Sequence, residues 1–117
     1  MLIDIEDVSG RALDATLEFV LAQDFVQGRF ILQDGSALAE PKAWSTDANS
    51  VMWLINEYIS HLANVVLDEW QAALPNGSTY TGTTIGEAVV RAVIAHLNDD
   101  TEVDMPDELV EKYPCAE

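Results

Sequence analysis

The chain is poor in the residues that hold metal ions or form disulfides. It contains a single cysteine, Cys115, and its two histidines, His61 and His96, stand far apart. One cysteine cannot form an internal disulfide, which is compatible with a reducing compartment. Because metal sites need several convergent His, Cys or carboxylate ligands, the sequence predicts no metal and no cofactor.

Motifs for phosphate binding and catalysis are also missing. The six glycines are scattered, and none belongs to a Walker or dinucleotide-binding pattern. Ser60 directly precedes His61, but adjacent residues of a helix point to different faces and do not form a nucleophile–base pair. The sequence therefore predicts a protein that is not an enzyme.

Long apolar segments are absent as well. The apolar runs are far shorter than the roughly 20 residues that cross a bilayer. Residues 1–7 lack both the basic region and the apolar run of a signal peptide. We therefore expect a cytoplasmic protein that makes no contact with membranes.

Basic residues are scarce, since five lysines and arginines stand against 21 acidic residues, for a formal net charge of −16. The negative electrostatic field of such a charge disfavours nucleic acid and anionic lipid as direct ligands. It favours basic protein partners through fast, salt-sensitive association. The excess is greatest in a C-terminal acidic segment, residues 98–117. Its candidate partner-binding residues are Asp99, Asp100, Glu102, Asp104, Asp107, Glu108 and Glu111. The segment is either a solvated tail that increases solubility or a docking surface for a basic groove.

Three short motifs follow one another along the chain. Residues 9–17 read Ser-Gly-Arg-Ala-Leu-Asp-Ala-Thr-Leu, residues 44–57 begin Trp-Ser-Thr-Asp, and residues 83–97 begin Thr-Thr-Ile-Gly-Glu. In this order the motifs resemble those of the NinX-like small bacteriophage proteins, a group that overlaps the phage ABA-sandwich domain. The resemblance covers nearly the whole chain. It implies a phage origin and an extended segment before the last long helix, but no catalytic activity.

The first part of the chain predicts a helix packed on a core. A length of 117 residues with 49% hydrophobic residues fits one globular domain, residues 1–117. Ser9 fits an N-cap, and an apolar stripe then predicts a helix that ends near Gln23, with Asp14 and Glu18 on its other, solvent side. The stripe consists of Leu13, Leu17, Val20 and Leu21.

The middle of the chain allows two interpretations. A second helix begins near residues 45–47, where three side chains can cap it. Periodicity alone would extend this helix to Leu74, whereas strand-favouring residues and the resemblance favour an end near His61. We therefore expect strands at Val66–Leu74 and Thr79–Gly82, joined by a Pro-Asn-Gly turn.

The remaining patterns complete an α+β domain. A strand is predicted at Gly28–Gln33, with a weaker return over Ala37–Ala39. Thr84 and Glu87 form a capping-box pattern at the start of another helix, and Asp107–Lys112 fits a short final one. The predicted fold is a single compact domain in which a small antiparallel sheet is packed by two to three helices.

Five large side chains have predicted roles of their own. Trp53 and Trp70 are expected in the core, where each would bury a large area. Trp44 precedes a helix cap, and we expect it to be partly exposed and to bind a partner. Arg11 and Arg91 are interpreted as structural counter-ions for nearby carboxylates.

Together these observations predict a non-enzymatic, phage-encoded accessory protein that acts in the host cytoplasm. It would bind and inhibit a host protein or nucleoprotein complex with a basic groove, as an anti-CRISPR or anti-restriction inhibitor whose acidic surface mimics nucleic acid. Inhibition through a shape-specific apolar or aromatic surface is an alternative. So are sequestration of a small nucleotide signal and a structural or accessory role without a host target, which oligomerisation would favour. A homodimer stays an open alternative.

Overall fold

Short strands and helices alternate along residues 1–114, which are the residues that the structure, a computed structural model, describes. Cys115 lies outside them. The strands are β1 (Leu2–Asp4), β2 (Asp24–Val26), β3 (Arg29–Ile31), β4 (Ala37–Leu38), β5 (His61–Val66), β6 (Glu69–Ala73), β7 (Thr79–Gly82) and β8 (Glu102–Asp104). The helices are α1 (Gly10–Leu21), α2 (Ala48–Tyr58), α3 (Ile85–Asn98) and α4 (Asp107–Lys112), and Ile5–Asp7 forms a 3-10 turn. The predicted α+β class is confirmed.

Within residues 1–114 the strands form three small antiparallel sheets, where the sequence predicts one. Strands β2, β3 and β4 form one sheet, β5, β6 and β7 form another, and β1 pairs with β8. The two three-stranded sheets join strands that are neighbours in sequence, so short turns suffice to connect them. The β1–β8 ribbon instead joins the two ends of the described chain, with Ile3 opposite Val103.

Helix α3 lies at the centre of the fold. It packs against α1, against α2, and against β6 and β7. Its fully buried side chains include Val89, Val90, Val93 and Ile94. The Thr84 hydroxyl accepts a hydrogen bond from the Glu87 N–H, and the Glu87 carboxylate accepts one from the Thr83 N–H. The predicted capping box is therefore confirmed.

A glycine allows the start of α3 to approach the segment before α2. A Cβ atom on Gly86 would overlap the backbone carbonyl of Ser45. Gly82 is in a similar position at the end of β7, where a Cβ would lie 2.6 Å from the Ala88 nitrogen. Backbone cannot move aside as a flexible side chain can, so these contacts require residues without a side chain.

Arg91 ties α3 to two other parts of the chain. Its guanidinium donates hydrogen bonds to the carbonyl oxygens of Ile5 (3.0 Å), Val8 (2.9 Å) and Thr81 (2.8 Å). It also lies 2.9 Å from the Glu87 carboxylate, one helical turn away. The predicted counter-ion role is confirmed, and the three carbonyl contacts add a positioning role that the sequence does not predict.

The region after α2 differs from the prediction in where its elements begin. Helix α2 ends at Tyr58, and His61, the predicted end of this helix, is the first residue of β5. The strand predicted at Val66–Leu74 is β6, but it begins only at Glu69, because the chain turns back before it and Asp68 adopts a left-handed φ of 60°. Aspartate tolerates this conformation far better than β-branched residues such as Val65 and Val66 do. The strand Thr79–Gly82 is confirmed.

Two of the three strands of the β2–β4 sheet are predicted from the sequence. The strand predicted at Gly28–Gln33 is β3, and the weak return over Ala37–Ala39 is β4. Strand β2 is not predicted, and it joins β3 through a turn in which Gln27 and Gly28 both have positive φ, 53° and 76°. Two positive values in succession give a turn that matches the twist of a hairpin.

Two acidic residues of α1 are buried, contrary to the prediction. Leu13 and Leu17 are buried, as predicted, but Asp14 and Glu18 are also buried, at 1% and 2% exposure, although the periodicity places them on the solvent side. The reason is tertiary, because residues 41–45 cross this side of α1 and donate hydrogen bonds to both carboxylates.

Candidate interaction surfaces

Seven exposed carboxylates lie on the α3–β8 turn, on β8 and on α4. We call them the acidic surface, and they are Asp99, Asp100, Glu102, Asp104, Asp107, Glu108 and Glu111. Buried apolar residues alternate with them, since Val103, Met105 and Leu109 are at most 3% exposed. These three side chains anchor the predicted acidic segment to the core, so that residues 98–114 are part of the folded domain.

The β1–β8 ribbon fixes the direction of the carboxylates at its centre. Ile3 and Val103 are opposite each other and buried, so the alternation of a strand turns their neighbours outward. Glu102 and Asp104 therefore share the outer face, about 7 Å apart along the strand. Asp4 is directly opposite Glu102 on this face, an arrangement of like charges that weakens a sheet.

Little positive charge lies near the acidic surface. The Met1 amino group is 3.2 Å from Asp104 and 3.3 Å from Asp107, and its hydrogen bond to Asp104 raises its pKa above the usual value. Among residues 1–114, no lysine or arginine side chain forms an ion pair with these seven carboxylates. Lys112 points elsewhere, with its ammonium donating to the Ala39 carbonyl oxygen at 3.3 Å. The surface therefore keeps most of its negative charge.

The buried carboxylates of α1 hold the segment that precedes α2. A Glu18 oxygen accepts hydrogen bonds from the Lys42 N–H at 2.9 Å and from the Trp44 indole N–H at 3.1 Å. Asp14 accepts one from the Ser45 N–H at 2.9 Å, and its other oxygen lies 3.2 Å from Arg11. The predicted counter-ion role of Arg11 is confirmed.

The burial of two tryptophans differs from the prediction. Trp44, which is predicted to be partly exposed, is only 7% exposed because its indole is turned inward to Glu18. Trp53, which is predicted in the core, is 47% exposed. The two rings lie 6.2 Å apart, and Trp53 also meets Tyr58 at 6.2 Å. Trp70 is half-buried and packs against the core.

An aromatic pocket opens beside these rings. It has a volume of about 320 Å³ and is lined by Lys42, Trp44, Asn49, Ser50 and Trp53. The Lys42 ammonium lies 5.4 Å from the centre of the Trp44 ring, a distance typical of a cation–π contact. The pocket thus combines a flat apolar wall, amide and hydroxyl groups, and one of the five basic residues of the chain.

A second and larger depression lies between α2 and the β5–β7 sheet. It has a volume of about 510 Å³, and we call it the apolar groove. Its apolar walls include Val51, Met52, Ile55, Leu62, Trp70 and Ile85. None of the residues that line it is charged, although Thr83 and Thr84 add hydroxyl groups at one end.

The two histidines lie in different surroundings. His96 packs its ring 5.8 Å from that of Tyr58 and borders a polar hollow of about 250 Å³ together with Asp99 and Asp100. His61 is exposed at the start of β5. Within residues 1–114, no three His, Cys, Asp or Glu side chains come together in a way that could hold a metal ion.

Comparison with known proteins adds no assignment. No protein-family model and no curated protein matches the chain. The resemblance to NinX-like phage proteins therefore stays a prediction. In the part of the chain that the structure describes, the helices are too short or too polar to cross a bilayer.

The sequence predicts the acidic surface but not the aromatic pocket or the apolar groove. Both depend on which faces of α2 the rest of the chain leaves uncovered, and the sequence of α2 alone does not determine this. One signal was present, since Met52 and Trp53 are adjacent on a helix and cannot both point to the same side. Both are exposed, at 55% and 47%, and each lines one of the hollows.

Proposed function

We propose that this chain is a non-enzymatic, phage-encoded accessory protein that binds and inhibits a host protein with a basic groove. The acidic surface carries the proposal, because it presents seven exposed carboxylates on folded elements anchored by buried side chains. The partner class is a nucleic-acid-binding protein or complex of host defence in the host cytoplasm, and the surface acts as a mimic of nucleic acid.

The proposal is supported by the folded structure of the acidic surface as well as by its charge. A flexible acidic tail loses conformational freedom when it binds, whereas a folded surface has already lost it. The two carboxylates on β8, Glu102 and Asp104, lie about 7 Å apart along the strand. Since few internal cations neutralise them, a partner with lysines and arginines arranged for phosphates gains the attraction, and counterions are released from both surfaces.

The test is affinity capture from bacterial lysate at low and at high salt, with mass spectrometry of the retained proteins. A triple variant, Glu102→Lys, Glu108→Lys and Glu111→Lys, reverses part of the acidic surface. The matched control, Asp24→Lys, Glu40→Lys and Glu57→Lys, reverses three exposed carboxylates outside that surface and changes the net charge equally.

We expect the natural chain and the control to retain a nucleic-acid-binding complex at low salt and to release it at high salt. The triple variant should lose most of this binding. Equal retention by the triple variant, or retention that does not depend on salt, would overturn the role of the acidic surface. If no protein is captured under either condition, the inhibitor proposal itself is wrong.

The aromatic pocket supports a second candidate function, the sequestration of a small nucleotide. Trp53 offers an exposed ring for stacking, Asn49 offers an amide, and Lys42 offers a cation for phosphate. Titration of nucleoside mono- and diphosphates, followed by tryptophan fluorescence, tests this function. It requires saturable binding that Trp53→Ala abolishes and Lys42→Met weakens, and unchanged fluorescence with every nucleotide would exclude it.

A further inference from the structure

Three elements of the fold enclose the apolar groove. Helix α2 forms one wall and the β5–β7 sheet forms the other. Trp70 is opposite Gly82, the last residue of β7, so the groove crosses the sheet towards the start of α3. The starts of α2 and α3 meet at this end, where a Cβ on Gly86 would overlap the Ser45 carbonyl. A concave hollow of about 510 Å³ between packed elements has the size and setting of a small-molecule site.

Most hydrogen-bonding groups of the groove lie at the end near α3. Among residues 1–114 the N–H groups of Ile85 and Gly86 bond no protein acceptor, as is usual in the first turn of a helix. Beyond this end the walls are apolar side chains and the Trp70 ring. The groove therefore fits a molecule with an apolar body and a polar group at one end. Four hydroxyl groups line the polar end, those of Ser45, Thr46, Thr83 and Thr84.

An extended peptide does not meet this condition. It carries an N–H and a C=O group at every residue, and burying such groups without partners is costly. The groove touches β5 only at Leu62, so it offers no row of backbone groups with which a peptide could pair. A small molecule with one polar group does not have this cost.

Charge restricts the ligand to uncharged molecules. None of the residues that line the groove is charged, so a bound cation would lose its hydration without gaining a carboxylate partner. An anion is disfavoured at the two helix starts, because Asp47 and Glu87 already place carboxylates there. The net charge of −16 also repels an anion, and it repels a second copy of the chain. A neutral molecule meets neither penalty.

We propose that the apolar groove binds an uncharged small molecule with a flat apolar body and one hydrogen-bond acceptor, such as a carbonyl oxygen, at one end. The body lies between α2 and the Trp70 ring, whose face favours a flat partner. The acceptor receives hydrogen bonds at the end lined by Thr83 and Thr84. This site is separate from the acidic surface and does not depend on the proposed inhibitor function.

The experiment is a nuclear magnetic resonance titration of the full chain with three probes that share one ring system and differ in charge. They are naphthamide, which is neutral, naphthoate, which is an anion, and naphthylmethylammonium, which is a cation. We expect naphthamide to shift the backbone amide signals of residues 83–86 and the Met52 methyl signal in a saturable way. The two charged probes should bind at least about tenfold more weakly.

Two variants with matched controls locate the site. Met52→Asp places a charge at a groove position that is 55% exposed, and it should weaken naphthamide binding by at least about tenfold. Leu67→Asp adds the same charge outside the groove, at 89% exposure, and should change the affinity by less than about twofold. Thr83→Val removes one hydroxyl group from the polar end and should weaken binding by about threefold or more. Thr79→Val, at an exposed position of β7 outside the groove, should have no effect.

Four results would overturn the proposal. They are equal binding of the three probes, no shift of these signals at millimolar naphthamide, equal binding by Met52→Asp and Leu67→Asp, and a dimer of the free protein whose interface covers Met52. The triple variant of the acidic surface should bind naphthamide as the natural chain does. Failure of the inhibitor proposal would therefore leave this result unchanged.

Discussion

Replacing Glu18 by alanine tests the idea that buried charge on α1 positions the segment before α2. The carboxylate is 2% exposed and accepts hydrogen bonds from the Trp44 indole N–H and the Lys42 N–H. Without it the indole donor is buried and unpaired, which costs roughly 1–3 kcal/mol, and the half-buried backbone donor adds a smaller cost. We expect Glu18→Ala to lower the free energy of unfolding by about 2–4 kcal/mol.

The assay is urea unfolding at neutral pH, followed by circular dichroism. Glu57→Ala is the matched control, because Glu57 is an exposed glutamate in a helix, and it should change the stability by less than about 0.5 kcal/mol. Glu18→Gln keeps the shape and an acceptor oxygen, so it should cost less than the alanine variant although its hydrogen bonds lose their charge. The reasoning is refuted if Glu18→Ala and Glu57→Ala have the same stability.

Two other substitutions test the contacts of α3. Gly86→Ala should destabilise the fold by about 3 kcal/mol or more in urea unfolding, because the new Cβ overlaps the Ser45 carbonyl, and a loss below about 1 kcal/mol would contradict the close approach. Arg91→Lys should cost about 1–3 kcal/mol in the same assay, because a point charge cannot bond the three carbonyl oxygens that the guanidinium bonds. Full stability of the lysine variant would show that charge alone is sufficient at this position.

The sequence predicts elements well where a local pattern determines them. Thr84 and Glu87 cap α3 as predicted, because both partners of a capping box lie within one helical turn. The strand Thr79–Gly82 follows a Pro-Asn-Gly turn, again a local signal. Prediction fails where a distant segment determines the burial, as it does for Asp14 and Glu18, which are covered by residues 24 to 31 positions later in the chain.

The candidate sites also differ in how well the sequence predicts them. The acidic surface can be predicted because carboxylates are exposed by default, and their density along residues 98–112 is visible in the sequence. The roles of Trp44 and Trp53 are exchanged relative to the prediction, because one buried acceptor, Glu18, turns the Trp44 indole inward. The one local signal, the position of Trp44 just before a helix cap, favours exposure of the tryptophan that is in fact buried.

The acidity of the chain and the open edge of β5 are physically connected. An uncharged edge strand beside an apolar groove would pair with another copy of itself in a protein of neutral charge. Here the nearest local protection is the bulge near Val65, which leaves a regular stretch of the edge open. A net charge of −16 supplies protection of a different kind, because repulsion acts between any two copies however they approach each other. That repulsion does not act on a basic segment, which the same net charge attracts instead.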